Sequence, residues 1–483
     1  MSRRKRDRRR HVPRRLPRHL HRRAPRRDRA IDQRDQPDRI PDLPRAAVRP
    51  YEPRAYTDAP RAHCGWALDT DWPVLPGNRE AEVAIIGAGY TGLNAALTLA
   101  EAGVDVVVLE AQAPGWGASG RNGGFCCLGG SLLDPEGLTK RFGDAAARGF
   151  VAAERAAIAH VADRIDHHDM DAQRHSDGEV MLAHRPRHAR GFADEAKTLA
   201  SHGIATEVLG KPDLERLGLG GPGFFGGLHI KKGFALDAGA YAVGIAHAAR
   251  AAGANIFAQS PVTGIAKDAA HHVLTTPRGT VRAKHMILAT NGYSTDDVPR
   301  WLRGRFLPVQ SNVLMTRPLT AGEQAAQGWT SDLMAYDTRN LLHYFRLMPD
   351  CRFLFGMRGG ISASTAAEAR ATARMKRHFA HMFPAWRDIE IPHTWSGFVN
   401  FSPNLTPYLG PIDEDPTALA AMAYHGNGVA MGSFAGHLAA KLVLGEDKRP
   451  EVMRKPLTRF PLPPLRRNLL RLSYPFATLF DLI

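Results

Sequence analysis

Residues 82–111 read EVAIIGAGYTGLNAALTLAEAGVDVVVLEA. The run VAII is short and apolar, as a parallel strand covered on both faces requires. Gly87-x-Gly89-x-x-Gly92 follows at once. Residues 91–103 then place apolar side chains at helical spacing and stop at Gly103, a natural residue just past a helix end. DVVVLEA reads as a second strand. Strand, glycine turn, helix and strand together make a βαβ unit, which predicts a parallel sheet with helices on its faces.

Each glycine of the turn has a separate task. Gly87 permits the tight turn, Gly89 lets a pyrophosphate approach the backbone, and Gly92 lets helix and strand pack closely. With Ala88, Tyr90 and Thr91, they turn the unpaired N–H groups of a helix N-terminus toward phosphates. Glu110 lies 23 residues beyond Gly87, with Ala111 next to it, at the end of the second strand. Its carboxylate can accept both hydroxyls of an adenosine ribose and repels a 2′-phosphate, which selects FAD or NAD over NADP. A second match, Gly218-x-Gly220-x-x-Gly223, has no strand before it and carries Pro222 where a helix should open. It reads as a loop, so no separate NADPH site is expected.

Outward from the βαβ unit, residues 115–125 read GWGASGRNGGF. This stretch gives up side-chain packing close to where a dinucleotide would lie. Gly117, Ala118, Ser119, Gly123 and Gly124 can offer main-chain N–H groups, while Arg121 and Asn122 offer charge and amide bonds. NAD needs less than this. A long cofactor with a tricyclic head suits the loop, which points to FAD.

These segments resemble the FAD-dependent amine and amino-acid oxidoreductases of the D-amino-acid oxidase/glycine oxidase superfamily. GWGASGRNGG is most similar to the γ-glutamylputrescine oxidase-like branch, and the resemblance covers residues 55–460. It implies a backbone contact to adenine near Val262, and a segment near the pyrophosphate at Thr290, Asn291 and Gly292. It also implies a helix N-terminus at Gly426, Asn427, Gly428 and Val429, aimed at the flavin N1/O2 edge, where a helix dipole stabilises the reduced ring. One departure from the family is Asn404, where an Asp is common. The implied enzyme holds FAD non-covalently and acts on CH–NH or CH–NH2 donors. Hydride passes to flavin N5, an imine is left, and O2 takes the electrons to give H2O2. Two alternatives stay open at this point. One is a dehydrogenase that feeds a quinone or carrier; the other is a non-catalytic flavin protein that binds a partner through a basic arm.

The 483 residues exceed what one core usually organises. The expected fold is α/β: a Rossmann-like FAD-binding domain interleaved with an α+β substrate domain on an antiparallel sheet. Residues 79–134, 235–300 and 405–446 are assigned to the first, and 135–234 and 301–404 to the second. Residues 51–78 lead in and 447–483 form a C-terminal extension. Residues 135–210 read as mostly helical, and LLHYFRLMPDCRFLFGMRGG, residues 341–360, as two strands around a Pro-Asp turn. Period-2 alternation puts Tyr344 and Arg346 on one face. There Arg346 either clamps a substrate carboxylate, as the superfamily often does, or faces solvent. His425 either touches substrate or holds its loop. Trp395 and Phe398 either wall the pocket or serve as core. No metal site is expected.

Net charge is +16, but nineteen Arg or Lys against six Asp place +13 in residues 1–50 and leave +3 for the rest. That tail has too few apolar residues to order itself and reads as disordered. It carries no interleaved aromatics, so nucleic acid is not the expected partner; a small amine or amino acid is. No apolar h-region marks a signal peptide, and the apolar stretch 81–100 is broken by its glycines, so a cytoplasmic protein without a transmembrane segment is expected. Cys64, Cys126, Cys127 and Cys351 contain no CxxC pair and read as free thiols. The last segment, interrupted by Pro461, Pro463, Pro464 and Pro475, reads as packing against the body, with a membrane-surface helix as the alternative.

Overall fold

The computed structural model describes residues 48–472 and residue 474. The disordered reading of the basic tail therefore lies, up to residue 47, outside the described residues, as does the end of the C-terminal extension.

The strand Arg79–Ile86 starts half-exposed and ends with Val83–Ile86 buried. It pairs in parallel on both edges, with Val106–Leu109 and with Gly279–Leu288. An apolar run is thus shared between two neighbours and covered on two faces. The eight-stranded sheet runs Tyr408–Ile412, Asp415–Met422, Gly279–Leu288, Arg79–Ile86, Val106–Leu109, Asn255–Phe257. The antiparallel strands His272–Thr276 and Gly264–Lys267 branch from Gly279–Leu288. Helices Tyr90–Glu101, Ala238–Ala251 and Ala430–Val443 pack into one core with this sheet. Tyr90–Glu101 is buried from Tyr90 to Ala100, so it is a central helix with no solvent face.

A second eight-stranded sheet runs His393–Phe401, Leu307–Pro318, Arg352–Arg358, His343–Leu347, Met334–Asp337, Glu179–Leu182, Gly227–Ile230, Thr206–Leu209. Its pairs are antiparallel except Met334–Asp337 with Glu179–Leu182. One face carries Phe345, Phe353 and Phe355 into an aromatic core with Phe379, Phe383 and Trp386. Tyr336, Tyr344, Gly356 and Val313 stand opposite one another across four strands, so they share the other face. That face meets the glycine loop: a Cβ at Gly123 would lie 2.6 Å from the Tyr344 ring. A two-stranded pair, Phe125–Cys126 with Phe234–Ala235, anchors the chain leaving that loop.

Residues 135–210 are mostly helical, as the sequence suggests, but two strands that it does not show lie among the helices. The helices are Pro135–Phe142, Asp144–His167 and Pro186–Ser201, and the strands are Glu179–Leu182 and Thr206–Leu209. Each strand is four residues long and owes its existence to distant partners, which no local pattern reports. The 218–223 glycines form a loop, with Gly220 against the backbone of Gly328. The described part of the C-terminal extension packs on the body: Arg466 pairs with Asp296 at 2.8 Å and Arg467 with Glu52 at 2.6 Å. The four cysteines are free, and no helix among the described residues is long and apolar enough to cross a membrane.

Candidate active site

Two cavities meet between the sheets. The first, of about 250 Å³, begins at the glycine turn, where Gly87, Gly89, Tyr90 and Thr91 line it. Gly87 has φ +101°, a conformation that L side chains rarely adopt. A Cβ at Gly92 would overlap the Gly87 carbonyl oxygen, so the helix can start here only with glycine at that place. Ala88 and Gly92 stand behind the turn and do not line the cavity. No side chain caps the helix from its N-cap Gly89. Ser119 Oγ accepts the Tyr90 N–H at 2.9 Å, which leaves the hydroxyl proton to donate toward a phosphate.

Glu110 and Ala111 line the far end of the same cavity with Val262. The Glu110 carboxylate accepts from Ala88 N at 2.7 Å and Gln112 N at 3.0 Å, so it is fixed in place, with lone pairs left for ribose hydroxyls. Burial raises its pKa, while these backbone N–H groups oppose the rise. Thr290, Asn291 and Gly292 form one wall; Gly117, Ala118, Ser119 and Asn122 form another, with Gly426 and Gly428 near the end.

The second cavity, of about 310 Å³, shares Ala118, Asn122, Phe398, Val399, His425 and Gly426 with the first. Arg121, Gly123, Asn427, Val429 and Tyr344 line it as well. Tyr344 Oη lies 3.0 Å from Ser311 Oγ, and burial raises its pKa. Gly124 lines neither cavity.

Arg346, Arg121 and Asn122 serve otherwise than the sequence suggests, and His425 holds its loop, one of the two roles open to it. Arg346 neither lines a cavity nor faces solvent. Its guanidinium donates to Gly123 O at 3.0 Å and Leu236 O at 2.7 Å, and contacts His175 Nε2 at 2.8 Å. It shares a face with Tyr344, but the glycine loop covers that part of the face, so Arg346 braces the loop. Arg121 is 2% exposed, donates to Trp116 O and Ser396 O, and stacks over the Trp116 ring at 4.1 Å. Asn122 spends its amide on its own loop, at Ala118 O, Ser119 O and Gly124 N, and on the hydroxyl of Tyr90 in the helix. His425 holds Gly130 O with Nδ1 and the Ser402 N–H with Nε2, so the neutral tautomer with hydrogen on Nδ1 is selected. Burial presses its pKa down to about 4.

Trp395 donates to Arg121 O and is a wall of the loop, whereas Phe398 lines both cavities. Asn404 clips the chain just after the short helix Glu451–Arg454 through Pro456 O and the Thr458 hydroxyl. The sequence reading missed two charged groups in the second cavity, Arg358 and Glu179. Hairpin register held a signal for the first: Gly356 pairs with Tyr344, so Arg358, two residues on, shares the Tyr344 face.

The cavities fit a long dinucleotide. Buried polar atoms without partners stand around them: Asn400 Oδ1 at the first, Asn427 Oδ1 and Arg121 Nη2 at the second. A bound polar ligand would satisfy such groups. The comparisons agree. A family model described as FAD dependent oxidoreductase matches residues 82–442. The sequence is 31% identical to "Probable oxidoreductase OrdL" of Haemophilus influenzae, over 79% of this chain and 87% of that protein. It is 29% identical to the gamma-glutamylputrescine oxidoreductase of Escherichia coli, over 79% and 88%. The fold is that of the glycine oxidase from Geobacillus kaustophilus, with a TM-score of 0.66 at 21% identity, covering 79% of this chain and 100% of that one.

Proposed function

The chain belongs to the family of FAD-dependent oxidoreductases, and from that premise we propose that it oxidises the C–N bond of a carboxylate-bearing amine or amino acid to an imine, with O2 as electron acceptor and H2O2 as second product. Bound FAD supplies a two-electron acceptor for the C–H beside the nitrogen. The residues that would hold it are those of the first cavity: the turn at 87–92, Ser119, Glu110, Val262, and the helix N-terminus after Gly428.

The observation that carries the substrate reading is Arg358. It lines the second cavity and, among the described residues, donates only to His425 O, at 3.5 Å, beside the junction of the two cavities. No carboxylate among the described residues pairs with it, and burial lowers its pKa. A half-buried guanidinium that faces a cavity without a counterion is costly, and a substrate carboxylate would supply one in bidentate geometry. His425 can serve as a base only by giving up the Ser402 N–H bond at Nε2, its one acceptor nitrogen. The amine must therefore arrive or become neutral, which burial and the nearby positive charge of Arg358 both favour. O2 is proposed after the glycine oxidases among the curated relatives, such as that of Bacillus subtilis at 26% identity.

An anaerobic panel of amines and amino acids tests this, read by bleaching of the bound flavin. Carboxylated amines should bleach it and their esters should not. Admission of air should then restore the colour with H2O2; a colour restored only by a quinone would make the enzyme a dehydrogenase. Bleaching by esters and acids alike would remove Arg358 from the substrate site.

A further inference from the structure

We infer that the second cavity reads two charges, and that Glu179 receives a cationic group at the end of the substrate remote from Arg358. The substrates would then be carboxylated amines that also carry a distal ammonium. This deepens the reading of Arg358 given above and rests on it.

Glu179 opens the strand Glu179–Leu182, is 4% exposed, and lines the cavity. Register places it on the Arg358 face. Tyr336 stands opposite both Met181 and Tyr344, and Tyr344 opposite Gly356. Glu179 is two residues from Met181, and Arg358 two from Gly356, so period-2 alternation brings both charges to one side of the sheet. Between their strands lie His343–Leu347 and Met334–Asp337. Three strand spacings and a four-residue offset along the strands put about 19 Å between the two backbones, too far for the pair to neutralise each other. A ligand can span what the side chains cannot.

Among the described residues the carboxyl of Glu179 bonds the Cys127 thiol and acts on Tyr336, and no Lys, Arg or His pairs with it. An apolar tail would be served by an apolar residue at this place; a buried acid with no cationic partner carries a cost that a ligand's cation offsets. Burial pushes Glu179 up to about 8, so the free site holds a proton, which leaves to solvent when an ammonium takes its place. Glu154, on the helix Asp144–His167, also acts on Cys127 and adds negative potential when ionised.

The test uses ligand pairs that share a carboxylate and differ in a terminal ammonium: 5-aminopentanoate against pentanoate, and 6-aminohexanoate against hexanoate. Dissociation constants are read anaerobically from the absorbance of bound flavin in the full-length FAD-loaded protein. The ammonium member should bind about ten- to hundred-fold tighter. Glu179→Gln should erase the difference, and Glu179→Asp should keep part of it, which separates recognition from any folding defect of the amide variant. Ornithine and lysine, in one enantiomer or the other, should bleach the flavin faster than norvaline and norleucine. Equal binding within the pairs, or a preference that survives Glu179→Gln, overturns the inference and leaves the Arg358 reading intact. If no carboxylated ligand binds and no carboxylated amine bleaches the flavin, both fall.

Discussion

Two arginines twelve residues apart, on the two strands of one hairpin, do unlike work because one is covered and the other is not. Arg346 has every arm engaged by Gly123, Leu236 and His175, and burial lowers its pKa to about 10. Among the described residues Arg358 makes one hydrogen bond, to His425 O. The contrast separates two observables. Arg358→Met should raise KM for a carboxylated substrate about a hundred-fold, the loss of a bidentate charge pair, while flavin content and unfolding midpoint hold. Arg346→Met should leave two carbonyls and a histidine unpaired in the interior, destabilise the protein by about 3 kcal/mol, and release flavin, because the 117–124 loop loses its brace. Steady-state kinetics, flavin-to-protein ratio and chemical denaturation distinguish the cases. If Arg346→Met kept its flavin and lost only substrate affinity, the assignment of the two side chains would be reversed.

At the scale of elements, the glycine turn was legible because its chemistry is local. Strand, turn, helix and acid fall within thirty residues, and each residue type has one reason to be there. The second sheet was not legible in the same way. Alternation placed Tyr344 and Arg346 on one face, but it cannot tell which loop lies over that face. Glu179 sits on a four-residue strand that exists only through its pairing with Met334–Asp337 and Gly227–Ile230. Arg358 needed the hairpin register. The turn gives the sharpest prediction at this scale. In Gly92→Ala the new Cβ meets the Gly87 carbonyl oxygen, so the turn must open, and FAD affinity should fall at least roughly tenfold, since the helix N-terminus no longer faces the phosphates. Gly149→Ala is the control: exposed, inside the helix Asp144–His167, with nothing near its Cβ. It should be neutral or stabilising by up to about 1 kcal/mol. Flavin-to-protein ratios after dialysis decide it; a yellow Gly92→Ala protein would mean the turn does not carry the pyrophosphate.

The whole molecule titrates with two opposed sets of buried groups. His160 is held down to about 3, and His175, His378, His425 and His437 to about 4, burial being the first cause in each case. Their folded values lie below the unfolded 6.5, so the unfolded chain takes up protons first, and stability is lost as pH falls from 6.5 toward 4. Glu154 and Glu179 are pushed up to about 8 by burial, above an unfolded 4.5. For them the folded chain holds the protons, and stability is lost as pH rises from 4.5 to 8. Between 4.5 and 6.5 the five histidines outweigh the two carboxyls and stability climbs with pH. Between 6.5 and 8 only the carboxyls act and it declines. The unfolding temperature should therefore peak near pH 6.5. The alkaline limb should fall by roughly 2–3 °C per pH unit at most, the worth of two protons in a chain of this size. Scanning fluorimetry of the FAD-loaded protein from pH 5 to 8.5 measures the curve. The double variant Glu154→Gln, Glu179→Gln should flatten the alkaline limb and leave the acid limb in place. A melting temperature that still rises between pH 6.5 and 8 in the unsubstituted protein would show that the two carboxyls are ionised in the folded state, and that something in the fold already pairs with them.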